Sequence, residues 1–97
     1  MPTYVVLISW TDQGAKSFKD TVDRYQSASD AGSGAGVTWR EAHWTFGPYD
    51  IVATIDAPDD ETLMASILNV VGQGNIRTTT MRAFSADEMK GVLEKAG

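Results

Sequence analysis

The sequence predicts an α+β domain with four strands in one antiparallel sheet, and three observations predict it. Runs rich in β-branched and aromatic residues recur four times, at residues 4–10, 37–46, 50–57 and 76–84. Two stretches of helical periodicity lie between those runs and a third follows the last. At 97 residues the chain has the size of one domain built on one core, so residues 1–97 are read as a single unit.

Tyr4-Val5-Val6-Leu7-Ile8-Ser9-Trp10 is apolar on both alternating faces and too short for a typical helix, which makes it a central strand covered on both sides. Thr11 or Asp12 then offers a side-chain oxygen to the free N–H groups at the start of a helix. Along that helix Ala15, Phe18, Val22 and Tyr25 follow three- and four-residue steps and form one buried stripe. The glycines of Ala31-Gly32-Ser33-Gly34-Ala35-Gly36 are expected to end the helix before Ala31 and to form a flexible loop.

Residues 37–46 and 50–57 read as an antiparallel hairpin reversed at Gly47-Pro48-Tyr49. Pro58-Asp59-Asp60-Glu61 places carboxylates where a helix begins, with Leu63, Ile67, Val70 and Val71 on its buried side and Gly72 and Gly74 at its end. Thr78-Thr79-Thr80 suits a pleated strand better than a helix. Ser85 and Glu88 have the spacing of a capping box, opening a last helix with Met89, Val92 and Leu93 turned inward.

The order β-α-β-β-α-β with right-handed crossovers gives a ferredoxin-like sandwich of strand order 4-1-3-2, helices on one face, and an extra C-terminal helix. The first strand then leaves apolar side chains on the sheet face that carries no helix. A contiguous exposed apolar patch marks an interface, so the chain is expected to form a homo-oligomer, at least a dimer, through that face.

A net charge of -5 and scattered Lys and Arg residues leave no basic stripe for phosphates, which argues against nucleic acid. No apolar stretch approaches the roughly 20 residues that span a bilayer, so no membrane partner is expected. The N-terminus has no basic segment ahead of an apolar run, and a cytoplasmic protein is the expectation. With no cysteine and one histidine the chain cannot supply a typical zinc site, and Asp59-Asp60-Glu61 is better explained by the helix dipole. Gly72-Gln73-Gly74 follows a helix and lacks the lysine of a phosphate loop, so no cofactor is expected.

The candidate functional residues each have a structural reading beside the functional one. Tyr49 and Asp50 can line a ligand rim, or Asp50 can cap backbone N–H groups at the turn. His43 can act as a general base near Glu41; strict alternation puts Trp39, Glu41, His43 and Thr45 on one face and Ala42 and Trp44 on the other. Trp10, Trp39 and Trp44 can line an apolar pocket or fill the core. Arg82, on one face with Thr78, Thr80 and Phe84, can pair a ligand carboxylate or an acidic residue across a dimer.

The segments Trp44-Thr45-Phe46-Gly47-Pro48-Tyr49-Asp50-Ile51-Val52-Ala53 and Asn75-Ile76-Arg77-Thr78-Thr79-Thr80-Met81-Arg82-Ala83-Phe84 resemble the GYD domain family. Its Gly-Tyr-Asp appears here as Gly47, Tyr49 and Asp50, with Pro48 between. Residues 4–14 also look like that family's first strand and turn, and the likeness runs over residues 4–95. The resemblance implies a dimeric α+β barrel and carries no assigned biochemical role. The Gly-x-Tyr-Asp turn is also similar to the small-molecule-binding domain of the Lrp/AsnC regulators, but no helix-turn-helix segment accompanies it.

Two functions follow. One is a homo-oligomeric module that binds a small molecule or scaffolds an assembly, with Trp10, Trp44, Tyr49, Asp50 and Arg82 as ligand contacts. The other is a small cofactor-independent oxygenase or isomerase with its site on the sheet face at the dimer interface, His43 as base and Tyr49, Asp50 or Arg82 polarising the substrate.

Overall fold

The computed structural model describes residues 1–97. Strand β1 (Thr3–Trp10) is central; β3 (Ile51–Asp56) and β4 (Ile76–Ala83) flank it, and β2 (Thr38–Trp44) lies outside β3. All neighbours pair antiparallel, in the order β2-β3-β1-β4 that the sequence predicts. Helices α1 (Asp12–Lys16) and α2 (Thr21–Ser33) follow β1, α3 (Asp60–Val71) links β3 to β4, and α4 (Ala86–Ala96) closes the chain.

The register sorts the side chains. Tyr4, Val6 and Ile8 of β1 share a face with Ile51, Ala53 and Ile55 of β3 and are buried against Val37, Leu63 and Ile67. Each large aliphatic side chain placed there contributes about 1.5–3 kcal/mol through removal from water. Val5, Leu7, Val52 and Thr54 look out from the opposite face, where no helix lies, and Met81 of β4 shares that face through its pairing with Val5.

The first helix departs from the expected continuous one. Thr11 caps it, accepting from the N–H of Gly14 at 3.2 Å while its own hydroxyl donates to the carbonyl of Gly74 at 2.6 Å. Gly14 is pressed so closely on the start of β4 that a Cβ there would lie 2.0 Å from the Asn75 carbonyl oxygen. The helix stops at Lys16, passes through a single 3-10 turn (Phe18–Asp20), and resumes as α2 in a new phase. Phe18 and Val22 are therefore exposed, and α2 buries Ala28 and Gly32 with Tyr25 half-buried.

Helix α2 also runs on to Ser33 rather than ending before Ala31, because Gly32 lets it close on Val37, whose Cβ would lie 3.2 Å from a side chain at that position. The reversal falls at Gly36, with φ at 80°. The β2–β3 connection spans residues 45–50, wider than the expected three-residue turn. Thr45 closes it, its N–H donating to the Asp50 carbonyl at 2.8 Å and its hydroxyl to the Tyr49 carbonyl at 2.6 Å.

Strand β2 is irregular at Arg40, where the register with β3 slips between Trp39 and Glu41. The extra residue reverses the alternation. Trp39, paired with Ile55, joins Ala42 and Trp44 on the helix-bearing face; Glu41 and His43, paired with Thr54 and Val52, stay on the open face. The expected grouping of Trp39 with His43 is thereby corrected.

The last helix is capped as the sequence predicts, with Ser85 and Glu88 bonding reciprocally. Its expected inward stripe is not inward: α4 has no buried residue, and Met89, Val92 and Leu93 are exposed.

Candidate functional site

Asp50 stands where three segments meet. Its carboxylate accepts from the backbone N–H of Trp10 at 2.8 Å, and its own N–H donates to the carbonyl of Ile8 at 2.8 Å. The Gly47 to Asp50 turn thus continues the β1–β3 ladder beyond its last paired residues, so the carboxylate is already engaged. Tyr49 is half-buried and contributes its carbonyl to Thr45.

Beside this turn, on the helix-bearing face, the bulge has gathered an aromatic group that strict alternation does not foresee. The ring of Tyr25 meets Trp39 edge-on at 5.6 Å between centroids and Trp44 at 5.5 Å. The Trp44 indole donates to the Thr21 hydroxyl at 3.0 Å. A small apolar cavity of about 40 Å³ lies between Tyr25, Trp39, Trp10 and the Val70 end of α3; Trp44 does not line it. The Trp10 indole N–H is buried without an acceptor from the chain. Arg24 fixes the approach to this space, its guanidinium donating to Ser17 and to the carbonyl of Gly14.

Arg82 lies elsewhere. Trp10 pairs with Ile76 and Tyr4 with Arg82, so the two ends are six residues apart along β4, about 20 Å. There the guanidinium lies 4.5 Å from the Phe84 ring centroid and 5.8 Å from that of Tyr4, and it donates to the carbonyls of Thr3 and Ala83. Tyr4, buried in the sheet, donates from its hydroxyl to the Asp60 carboxylate. That bond holds the phenol above its usual 10.0, and burial and the neighbouring charge of Asp60 add to the shift.

Tyr4, Asp60 and Arg82 border a wide groove between α3 and β4, about 1010 Å³, walled by Met64 and Leu68. The sequence carries a signal for this groove. Met64 and Leu68 are spaced one helical turn apart, outside the Leu63 and Ile67 line that was expected to be buried. His43 is on the open sheet face and exposed. The structure thus brings Trp10, Trp44, Tyr49 and Asp50 to one end of the domain, sets Arg82 at the other, and leaves His43 on the reverse side of the sheet.

The family follows from comparison of the whole chain. The GYD domain model matches residues 4–93. The chain belongs to the GYD domain family. A curated relative of this GYD chain, the glutamine synthetase and cystathionine beta-lyase binding protein of Thermus thermophilus, is 28% identical over 90 residues, covering 92% of this chain and 95% of that one. A solved structure of a Thermus thermophilus protein superposes with a TM-score of 0.57 at 27% identity, covering 89% of this GYD chain and 96% of the other. No helix of this GYD domain is long and apolar enough to cross a membrane.

Proposed function

We propose that this GYD domain is a homo-oligomeric scaffolding module that pairs through its open sheet face and holds protein partners, with a metabolite in the aromatic cavity as a secondary role. The observation that carries the reading is the open face itself: Val5, Leu7, Val52 and Met81 share a surface that no helix of the chain covers. The relative named for binding glutamine synthetase and cystathionine beta-lyase supports partner binding as the use of such surfaces.

The geometry weighs against the oxygenase or isomerase alternative. Its base, His43, lies on the open face where that site is expected, but the groups meant to polarise the substrate do not join it there: the Asp50 carboxylate is engaged by the Trp10 N–H, and Arg82 is on the helix-bearing face about 20 Å along β4 from that end. A general base has to reach the proton it abstracts.

Light scattering of the parent and of Leu7→Lys tests the pairing. The parent is expected to be a dimer or larger at micromolar concentration and Leu7→Lys a folded monomer; a monodisperse parent monomer overturns the reading. Immobilised parent, presented with glutamine synthetase and cystathionine beta-lyase from its own source, is expected to bind at least one saturably. Absence of saturable binding to both removes the shared-partner version.

A further inference from the structure

Two apolar strips of this chain are left without a covering element. On α4, Ala86, Met89, Leu93 and Ala96 recur at three- and four-residue steps with Val92 beside them, and Met89, Val92 and Leu93 are 43%, 38% and 59% exposed. On α3, Met64 and Leu68 are 60% and 56% exposed and wall the groove floored by Tyr4, Thr78 and Thr80. We propose that this groove is the seat of α4 from a second copy of the chain.

The way α4 leaves the domain argues for a second copy rather than its own groove. Only Phe84 and Ser85 separate β4 from α4. Arg82 lies against the Phe84 ring and donates to the Thr3 carbonyl at 3.2 Å. Ser85 is extended, with φ at -70° and ψ at 170°, and is tied to Glu88 by bonds of 2.9 and 3.1 Å. In this structure α4 does not lie over its own groove: no α4 residue is among those that line it, and none is buried. Held outward, the helix meets only what another molecule brings.

Size and charge fit the same occupant. The 11 residues of α4 make a rod of about 16 Å. Met64 to Val71 along α3 and Thr78 to Arg82 along β4 each span roughly 10–13 Å, enough to seat its middle turns. On the helical wheel Lys90 borders one side of the apolar stripe and Glu88 the other. The groove carries Asp60 and Glu61 on its α3 edge and Arg77 and Arg82 on its β4 edge. With Lys90 toward α3, the charged residue nearest the stripe on each flank, Lys90 or Glu88, meets opposite charge, while Glu94 and Lys95 lie farther round the helix.

An isolated helix of this length is marginal in water, so its ordered stripe gains most from such a cover. Exchange of identical elements is a low-cost route to a closed pair. The groove is on the helix-bearing side, so this contact stands apart from pairing of the open sheet faces.

The absence of cysteine from the chain makes the test direct. Tagged Leu93→Cys is mixed with untagged Met64→Cys and oxidised with diamide, after thermal melts show that both melt like the parent. The mixed disulfide is expected to exceed both homodimers, and a control mixture of Leu93→Cys with Ser33→Cys, several-fold. A mixed yield no higher than the control overturns the proposal. So does a preferred Leu93→Cys homodimer, in which helices pair with each other, or an intrachain disulfide in the dilute double variant, in which α4 covers its own groove.

Discussion

Asp50 and Trp10 are joined across the end of the sheet, the Asp50 carboxylate accepting from the Trp10 backbone N–H at 2.8 Å while the Asp50 N–H donates to Ile8 at the same distance. One residue thereby holds the wide β2–β3 connection onto the end of the central strand. Asp50→Ala strands the Trp10 N–H in a partly buried setting and is expected to destabilise the domain by about 1–3 kcal/mol in urea unfolding. Asp50→Asn keeps an accepting oxygen and should retain most of that stability. If Asp50→Ala melts like the parent yet loses partner binding, the carboxylate serves a ligand and not the turn.

Gly14 packs on Asn75 at a distance that leaves no room for a side chain, a Cβ lying 2.0 Å from a backbone oxygen. Backbone cannot swing aside as a flexible side chain does. Gly14→Ala must push α1 off the start of β4, disturbing the Thr11 N–H bond to the Asn75 carbonyl and the Thr11 hydroxyl bond to Gly74. The expected loss is at or above the upper end of the ~1–3 kcal/mol typical of overpacking. An unchanged unfolding midpoint would show that this contact is not tight.

Strand order and caps were legible because they depend on local chemistry. Thr11 and Ser85 have the hydroxyls that helix starts need, and Glu88 sits three residues beyond Ser85. The aromatic cluster was not legible. Period-two alternation places Trp39 opposite Trp44, and the slip at Arg40, which puts them on one side with Tyr25 between, leaves no mark in residue type. The break after Lys16 is equally hidden, since the groups that meet the helix there come from elsewhere: Arg24 donates to the Ser17 and Gly14 carbonyls, and Gly14 packs on Asn75, about 60 residues away. The stripe of α4 is legible, but its direction is not, since no residue of α4 is buried against its own chain.

Tyr4 and Asp60 should make stability depend on alkaline pH. The phenol is held above 10.0 first by its bond to the Asp60 carboxylate and then by burial. A group raised in the folded state contributes fully below its unfolded value, so the contribution is present below about pH 10 and is lost as the phenol ionises above it. Tyr4→Phe keeps the buried ring, removes one hydrogen bond worth about 0.5–1.5 kcal/mol, and should flatten this alkaline decline. Denaturant midpoints measured through that range for both proteins decide it; parallel profiles would disconnect Tyr4 from the effect.

Asp59 and Glu88 present the acid-side counterpart at two helix starts that differ in what they support. Asp59 accepts from the backbone N–H of Thr62 at 2.7 Å and Glu88 from that of Ser85 at 2.9 Å, and these bonds hold both carboxyls below their ordinary values. Groups depressed in the folded state stabilise above the unfolded value, and the effect is lost as pH falls through the folded one. Both helix starts should therefore loosen on acidification below the ordinary carboxylate range. The consequences differ because α3 buries Leu63 and Ile67 in the core, whereas α4 buries nothing in its own chain. Asp59→Ala is expected to lower the global unfolding midpoint. In a dilute monomeric sample Ser85→Ala should leave that midpoint in place, move the Glu88 titration only part of the way back toward its ordinary range because the backbone N–H of residue 85 still donates to it, and speed amide exchange only along α4. A drop in the global midpoint with Ser85→Ala under those conditions would mean that α4 is packed on its own domain after all.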